Sequence, residues 1–195
     1  MRVKMKYVPL FIVVALACLV LWYFRGAPPN GQPPLTSLSA NNLDQFKREF
    51  NDAADRNRLV LLLSPTRAYC LRGSSAIEKI LKQNPSARLR VLVVWEPMLP
   101  TDWSRPRGRV QSRISDPRAV QFWDKDHLVA KELRQQLSSS QICCQRNGII
   151  WDAAALYPRD IHWGAAPAFF GGARVLDVAA DVRQRLSALS GSRWR

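Results

Sequence analysis

The sequence predicts an α/β domain behind one N-terminal membrane-spanning helix, and three observations carry that reading. Tyr7 to Phe24 holds no charged side chain, and a charge-free apolar run of this length is a candidate span. Leu59 to Leu63 is continuously aliphatic and leads through Ser64-Pro65 into a helical pattern and then a second apolar run, Leu89 to Trp95. A strand, helix, strand order needs a crossover, which makes the two strands parallel neighbours. Asn147-Gly148, between Ile142-Cys143-Cys144-Gln145-Arg146 and Ile149-Ile150-Trp151, reads as a hairpin turn, because it accepts the positive φ such turns need.

From the start of the chain, residues 1–6 carry Arg2, Lys4 and Lys6. The transmembrane signal anchor occupies 7–24, where a rise of about 1.5 Å per residue gives roughly 27 Å, close to the hydrocarbon thickness. Tyr7, Trp22 and Tyr23 fall where interfacial aromatics belong. The run is longer than the apolar region of a usual signal peptide, and Phe24-Arg25-Gly26-Ala27 lacks small residues at both cleavage positions, so it reads as uncleaved. Cys18 then lies within the span, since Leu19 to Phe24 continues the apolar run past it. The basic excess before the span places the N-terminus in the cytoplasm and the rest across an inner membrane, periplasmic or extracellular. Residues 25–40 hold Pro28, Pro29, Pro33 and Pro34 and predict an extended linker. One domain follows over 41–190, ending in a basic tail, 191–195.

Within the domain, Leu43, Phe46, Phe50 and Ala53 recur at helical spacing, predicting a helix over 41–54 with Asn41 as cap. After the first strand, Cys70, Ile77 and Leu81 share one helix face, so Cys70 points inward, and Asn84-Pro85 ends the helix. The segment Glu96 to Ser115 is a long loop with several arginines and Trp103. Either it is a lid that recognises an acidic or extended partner, or an insertion pinned by its tryptophans. Asp116-Pro117 predicts a helix start, continuing through Val129, Leu133 and Leu137. Asp124, Asp126 and His127 then fall on an exposed helix turn; with no second histidine or cysteine pair at ligand spacing, no metal is assigned, and His162 is treated alike. Strand character runs on to Tyr157, and Val178 to Leu189 closes the domain as a helix.

The residues Ser64-Pro65-Thr66-Arg67-Ala68-Tyr69-Cys70 resemble the active-site segment of thioredoxin-like proteins, in which a strand runs into Cys-x-x-Cys at a helix start. The resemblance implies a thioredoxin-like fold, a central mixed sheet flanked by helices. It puts Cys70 at the resolving position and Arg67 where the attacking cysteine should be. Ala166 to Asp177 is similar to the family's proline, strand, glycine turn and strand, which makes Pro167 the candidate for its cis-proline. The substrate surface it implies takes in Pro167, Trp95, Glu96 and Trp103, because the loop after the second parallel strand emerges beside the Arg67 turn.

Function follows from Arg67. A guanidinium cannot attack a disulfide, so the first reading is a redox-inactive binding or accessory module with a protein or peptide partner. The alternative is a thiol-disulfide oxidoreductase using Cys70 with Cys143 or Cys144. A soft-metal site on Cys143-Cys144 stands behind both. The formal charge is +14, and setting aside Arg2, Lys4, Lys6 and Arg25 leaves 25 basic against 15 acidic residues. No basic helix, zinc spacing or aromatic-basic motif accompanies that surplus, so a nucleic-acid partner is not expected and anionic headgroups are its better match. No cofactor is assigned.

Overall fold

The computed structural model describes residues 8–25, 28–138 and 144–191, with side chains of the first helix described over 10–18 and those of the last as far as 188. Residues 1–6, expected as a cytoplasmic tail, Cys143 and the end of the expected basic tail lie outside the described residues. Helix α1, Val8–Arg25, follows the apolar run, with Leu10, Phe11, Ile12, Val13, Val14 and Leu16 exposed. Among the described residues no helix is long and apolar enough to cross a membrane.

The domain runs β1 (Thr36–Leu38), α2 (Leu43–Asn51), β2 (Asn57–Leu63), α3 (Ala68–Gln83), β3 (Leu89–Trp95), α4 (Gly108–Gln111), β4 (Ala119–Asp124), α5 (Leu128–Gln135), β5 (Gln145–Arg146), β6 (Ile149–Ile150), β7 (Ala153–Tyr157), β8 (Phe169–Phe170) and α6 (Val175–Gly191). The main sheet has the order β1-β4-β3-β2-β7-β8. Its first four strands are parallel, while β7 runs antiparallel to β2 and β8 antiparallel to β7. Every residue of β2 is buried because both faces are covered. Leu59, Leu61 and Leu63 join Cys70, Ile77 and Leu81 of α3 and Val175 and Val182 of α6. Val60 and Leu62 join Phe46 and Phe50 of α2 and Val129 and Leu133 of α5. Successive strand side chains point to opposite faces, so a strand between two helical layers reads as an unbroken apolar run. Gly73 lets α3 and α6 meet: a Cβ there would stand 3.0 Å from Val175 Cβ and 3.1 Å from Leu176 N.

Four expectations are corrected. The first helix starts at Leu43, not Asn41, because Asn42 turns its side chain back to accept from Ser39 N–H (2.6 Å) and Oγ–H (3.0 Å). The linker is partly core: Gln32, Leu35 and Leu38 are buried, and β1 pairs with β4 well before residue 41. The segment after Asp116-Pro117 is a strand, with all six residues of β4 buried. Asp116 caps no helix there; it accepts from Arg118 N–H (2.9 Å) and Nη2–H (2.7 Å), and only α5 is helical. Finally, the glycines after β8 lead directly into α6 at Val175, not into another strand.

The 96–115 loop is an ordered insertion. Trp95 Nε1–H donates to Gln121 Oε1 (2.8 Å), while Gln121 Nε2–H donates to Gln32 Oε1 (2.7 Å) and Gln111 O (2.9 Å). Gln32 Nε2–H reaches Ile114 O and Asp116 O, both at 2.8 Å. Glu78 of α3 accepts from Ser115 N–H (3.0 Å) and Oγ–H (2.7 Å) at the loop's far end. Buried amides and carboxylates, not Trp103, pin it.

Candidate functional site

The turn between β2 and α3 is fixed by Asp102, 1 % exposed. Its carboxylate accepts from Ser64 Oγ–H (2.7 Å), Thr66 N–H (3.1 Å), Thr66 Oγ1–H (2.6 Å), Met98 N–H (2.8 Å) and Leu99 N–H (2.9 Å). Ser64 Oγ in turn accepts from Arg67 N–H (3.1 Å). The turn and the loop are thereby one unit. Sequence reading missed Asp102, since Ser64 and Thr66 lie 38 and 36 residues away from it and no local pattern marks such a contact.

Cys70 is fully buried in the first turn of α3, as its helix face predicts. Burial, followed by repulsion from Asp152 and the hydrogen bond between the two side chains, pushes its thiol up to about 12, against a smaller pull from Arg67. Asp152 is itself fully buried at φ 49°. One of its oxygens accepts from Val175 N–H (3.2 Å), and Oδ2 has no hydrogen-bond partner. Burial holds the Asp152 carboxyl above its ordinary range, opposed by the Val175 N–H, Cys70 and the charges of Arg67 and Arg174. The Arg67 guanidinium lies 5.8 Å from the Trp151 ring centroid, and Trp151 N–H donates to Cys144 O (3.0 Å). The β5–β6 hairpin therefore stands against the turn, with Asn147 and Gly148 at φ 52° and 77° as expected. Cys70 is a free thiol.

Pro167 is not at the site. Leu62 of β2 pairs with Ala153, so β7 begins beside the turn. β8 pairs Phe169 with Leu156 and Phe170 with Ala155, so Pro167 lies beyond the other end of β7, level with the start of β2. No cis peptide bond occurs among the described residues. Trp151 and Asp152, which precede β7, occupy the place beside the turn that Pro167 was expected to take.

Trp95 and Glu96 also leave the expected substrate surface, because both are fully buried. Trp95 serves the amide network, and Glu96 Oε2 pairs with His127 Nδ1 at 2.9 Å. His127, expected on an exposed helix turn, precedes α5 at φ 56° and is mostly buried. Burial pushes the Glu96 carboxyl up to about 7, and His127 and Asp124 pull in opposite directions. Burial opposes the His127 imidazolium, but the Glu96 hydrogen bond and charge outweigh it and raise that group. Asp124 is buried as well, which raises its carboxyl, and it caps α5 by accepting from Val129 N–H (2.8 Å). Among the described residues no group of three or more His, Cys, Asp and Glu side chains is arranged to hold a metal. Trp103 alone of the expected surface is open, 81 % exposed.

No protein-family model matches the chain, and no curated protein matches it. Two solved structures are similar. A thioredoxin-like protein in its oxidised form, solved in solution, is 14% identical over 68% of this chain and 78% of its own, with a TM-score of 0.45. A secreted Mycobacterium tuberculosis disulfide oxidoreductase is 9% identical over 71% of this chain and 85% of its own, with a TM-score of 0.42. By its own strand order, and by the turn that carries β2 into α3, this chain has a thioredoxin-like fold.

Proposed function

We propose that the chain is a membrane-anchored, redox-inactive binding or accessory module, its thioredoxin-like domain held outside the cytoplasm. The observation that carries this reading is the pairing of Arg67 at the attacking position with a Cys70 thiol that is sealed and held protonated. Disulfide exchange needs an accessible thiolate, and with a thiol titrating at about 12 the thiolate is scarce at neutral pH. Anchoring is supported by the charge-free run from Tyr7 to Phe24 and the basic residues before it. The purified chain should not accelerate insulin reduction by dithiothreitol above the uncatalysed rate. Catalysis removed by Cys70→Ser would overturn this reading.

One observation favours the oxidoreductase alternative: the hydrogen bond from Trp151 to Cys144 brings Cys144 to the neighbourhood of the turn. Mass spectrometry of native protein alkylated with iodoacetamide separates the two. The module reading expects Cys70 unmodified and reduced with Cys144 labelled; a disulfide from Cys70 to Cys143 or Cys144 would establish the alternative.

A further inference from the structure

Outside α1, the exposed large hydrophobic residues among those described are Tyr69, 42 % exposed, and Trp103, 81 % exposed. Both belong to the unit that the turn and the loop form. Tyr69 is the second residue of α3, and Trp103 follows Asp102, which holds Thr66 through its N–H and hydroxyl. Three residues of chain separate Thr66 from Tyr69, at most roughly 11 Å of backbone. No other large apolar side chain of the domain is exposed among the described residues, so the two aromatics left open at one end of the sheet mark a surface for a partner. The loop that presents Trp103 is rigid, pinned at Asp102, at the glutamines and at Glu78. Displaying the indole there costs no ordering when a partner arrives.

Basic side chains predominate here. Arg174 and Arg72 lie 4.3 and 5.9 Å from the Tyr69 centroid, Arg67 stands two residues before Tyr69 in sequence, and Arg109 is exposed in the loop after Trp103. The acids at this end are turned inward: Asp102, Asp152, Glu96 and Asp124 are all buried. Of the exposed ones, Asp177 is paired with Arg174 at 2.6 Å, and Asp126 lies past β4.

We propose that this surface docks an extended acidic segment of a partner protein, its apolar side chains against Tyr69 and Trp103 and its carboxylates facing Arg67, Arg72 and Arg109. This rests on the binding-module reading and names its partner class. Two separate aromatics on a turn and a loop do not form the continuous apolar face that a lipid surface takes up. Arginine forks, by contrast, suit carboxylates.

The test uses the full chain in neutral-lipid nanodiscs and two fluorescein-labelled peptides. Both carry leucine and phenylalanine at the same positions; one has Glu and Asp between them, the other Lys. Anisotropy at near-physiological salt should show the acidic peptide binding at least about tenfold tighter, and Trp103→Ala and Tyr69→Ala each weakening it by about tenfold or more. Because both side chains are exposed, unchanged thermal melts will certify folding. Equal affinity for the two peptides, or an unchanged affinity in Trp103→Ala, would overturn the proposal. So would a Trp103→Ala defect seen only with phosphatidylglycerol vesicles. Insulin reduction by the parent would instead sink the redox-inactive reading and leave this docking surface standing.

Discussion

Arg67 immediately precedes α3, and the Cys70 thiol behind it meets the buried Asp152 carboxylate. Arg67→Cys places a thiol at the start of a sixteen-residue helix, where unpaired N–H groups and the helix dipole favour thiolate. We expect that variant to gain insulin reductase activity absent from the parent, and Cys70→Ser in the same background to stop turnover and leave a trapped mixed disulfide. Asp152 then opposes the second step, because its repulsion and hydrogen bond hold Cys70 protonated. Arg67→Cys/Asp152→Asn should therefore turn over faster at neutral pH than Arg67→Cys alone. The reverse order of rates would mean that Asp152 accepts the Cys70 proton during resolution. An inactive but folded Arg67→Cys would mean that the Trp151 side of the turn blocks substrates.

Between elements, the contacts that matter are buried polar ones. Asp102→Ala strips five acceptor contacts from the turn and loop, and leaving such donors unsatisfied should cost on the order of 3 kcal/mol in a denaturant melt. A loss under roughly 0.5 kcal/mol would show the loop to be held by the glutamines and Glu78 without Asp102. The Glu96–His127 pair joins the end of β3 to the start of α5. Both groups titrate above their ordinary ranges, so the folded chain keeps protons that the unfolded chain has released. Their contribution is complete below the unfolded carboxylate pKa of roughly 4.3 and is lost as pH rises through about 7 and then through the raised His127 value. The melting temperature should fall from acid to mildly alkaline pH, and Glu96→Gln should flatten that slope; parallel profiles for parent and variant would remove the pair from the account. Legibility divides along the same line. The apolar runs of β2 and β3, the inward face of α3 and the Asn-Gly turn are local patterns, and they could be read. β4 could not, because a short stretch buried on both sides has no period to separate strand from helix and Asp116-Pro117 imitates a helix start. Pro167 was misplaced because its position depends on the pairing of β8 with β7, and Asp102, Glu96 and Asp152 gain their roles only from residues far away in sequence.

For the whole molecule, the arrangement to test is N-terminus inside and domain outside. A reporter enzyme that is active only beyond the cytoplasm, fused after Arg195, should be active, and activity of a cytoplasmic reporter there would overturn both the anchor and its orientation. The same fusion tests the compartment in which Cys144 would meet oxidants. Gln32 gives that arrangement a further consequence. Its amide is bonded to Ile114 and Asp116, and Gly31 lies against Pro117, 3.2 Å from where a Cβ would sit to Pro117 Cβ. Were α1 in a bilayer, at most residues 26–30, roughly 18 Å of chain, would separate the lipid from the folded domain. A domain of this size has a radius of gyration of about 15 Å, so the leash is shorter than the body it holds. A domain so held would not sweep through the surrounding space in search of a distant target. Its partners would have to travel close along the membrane.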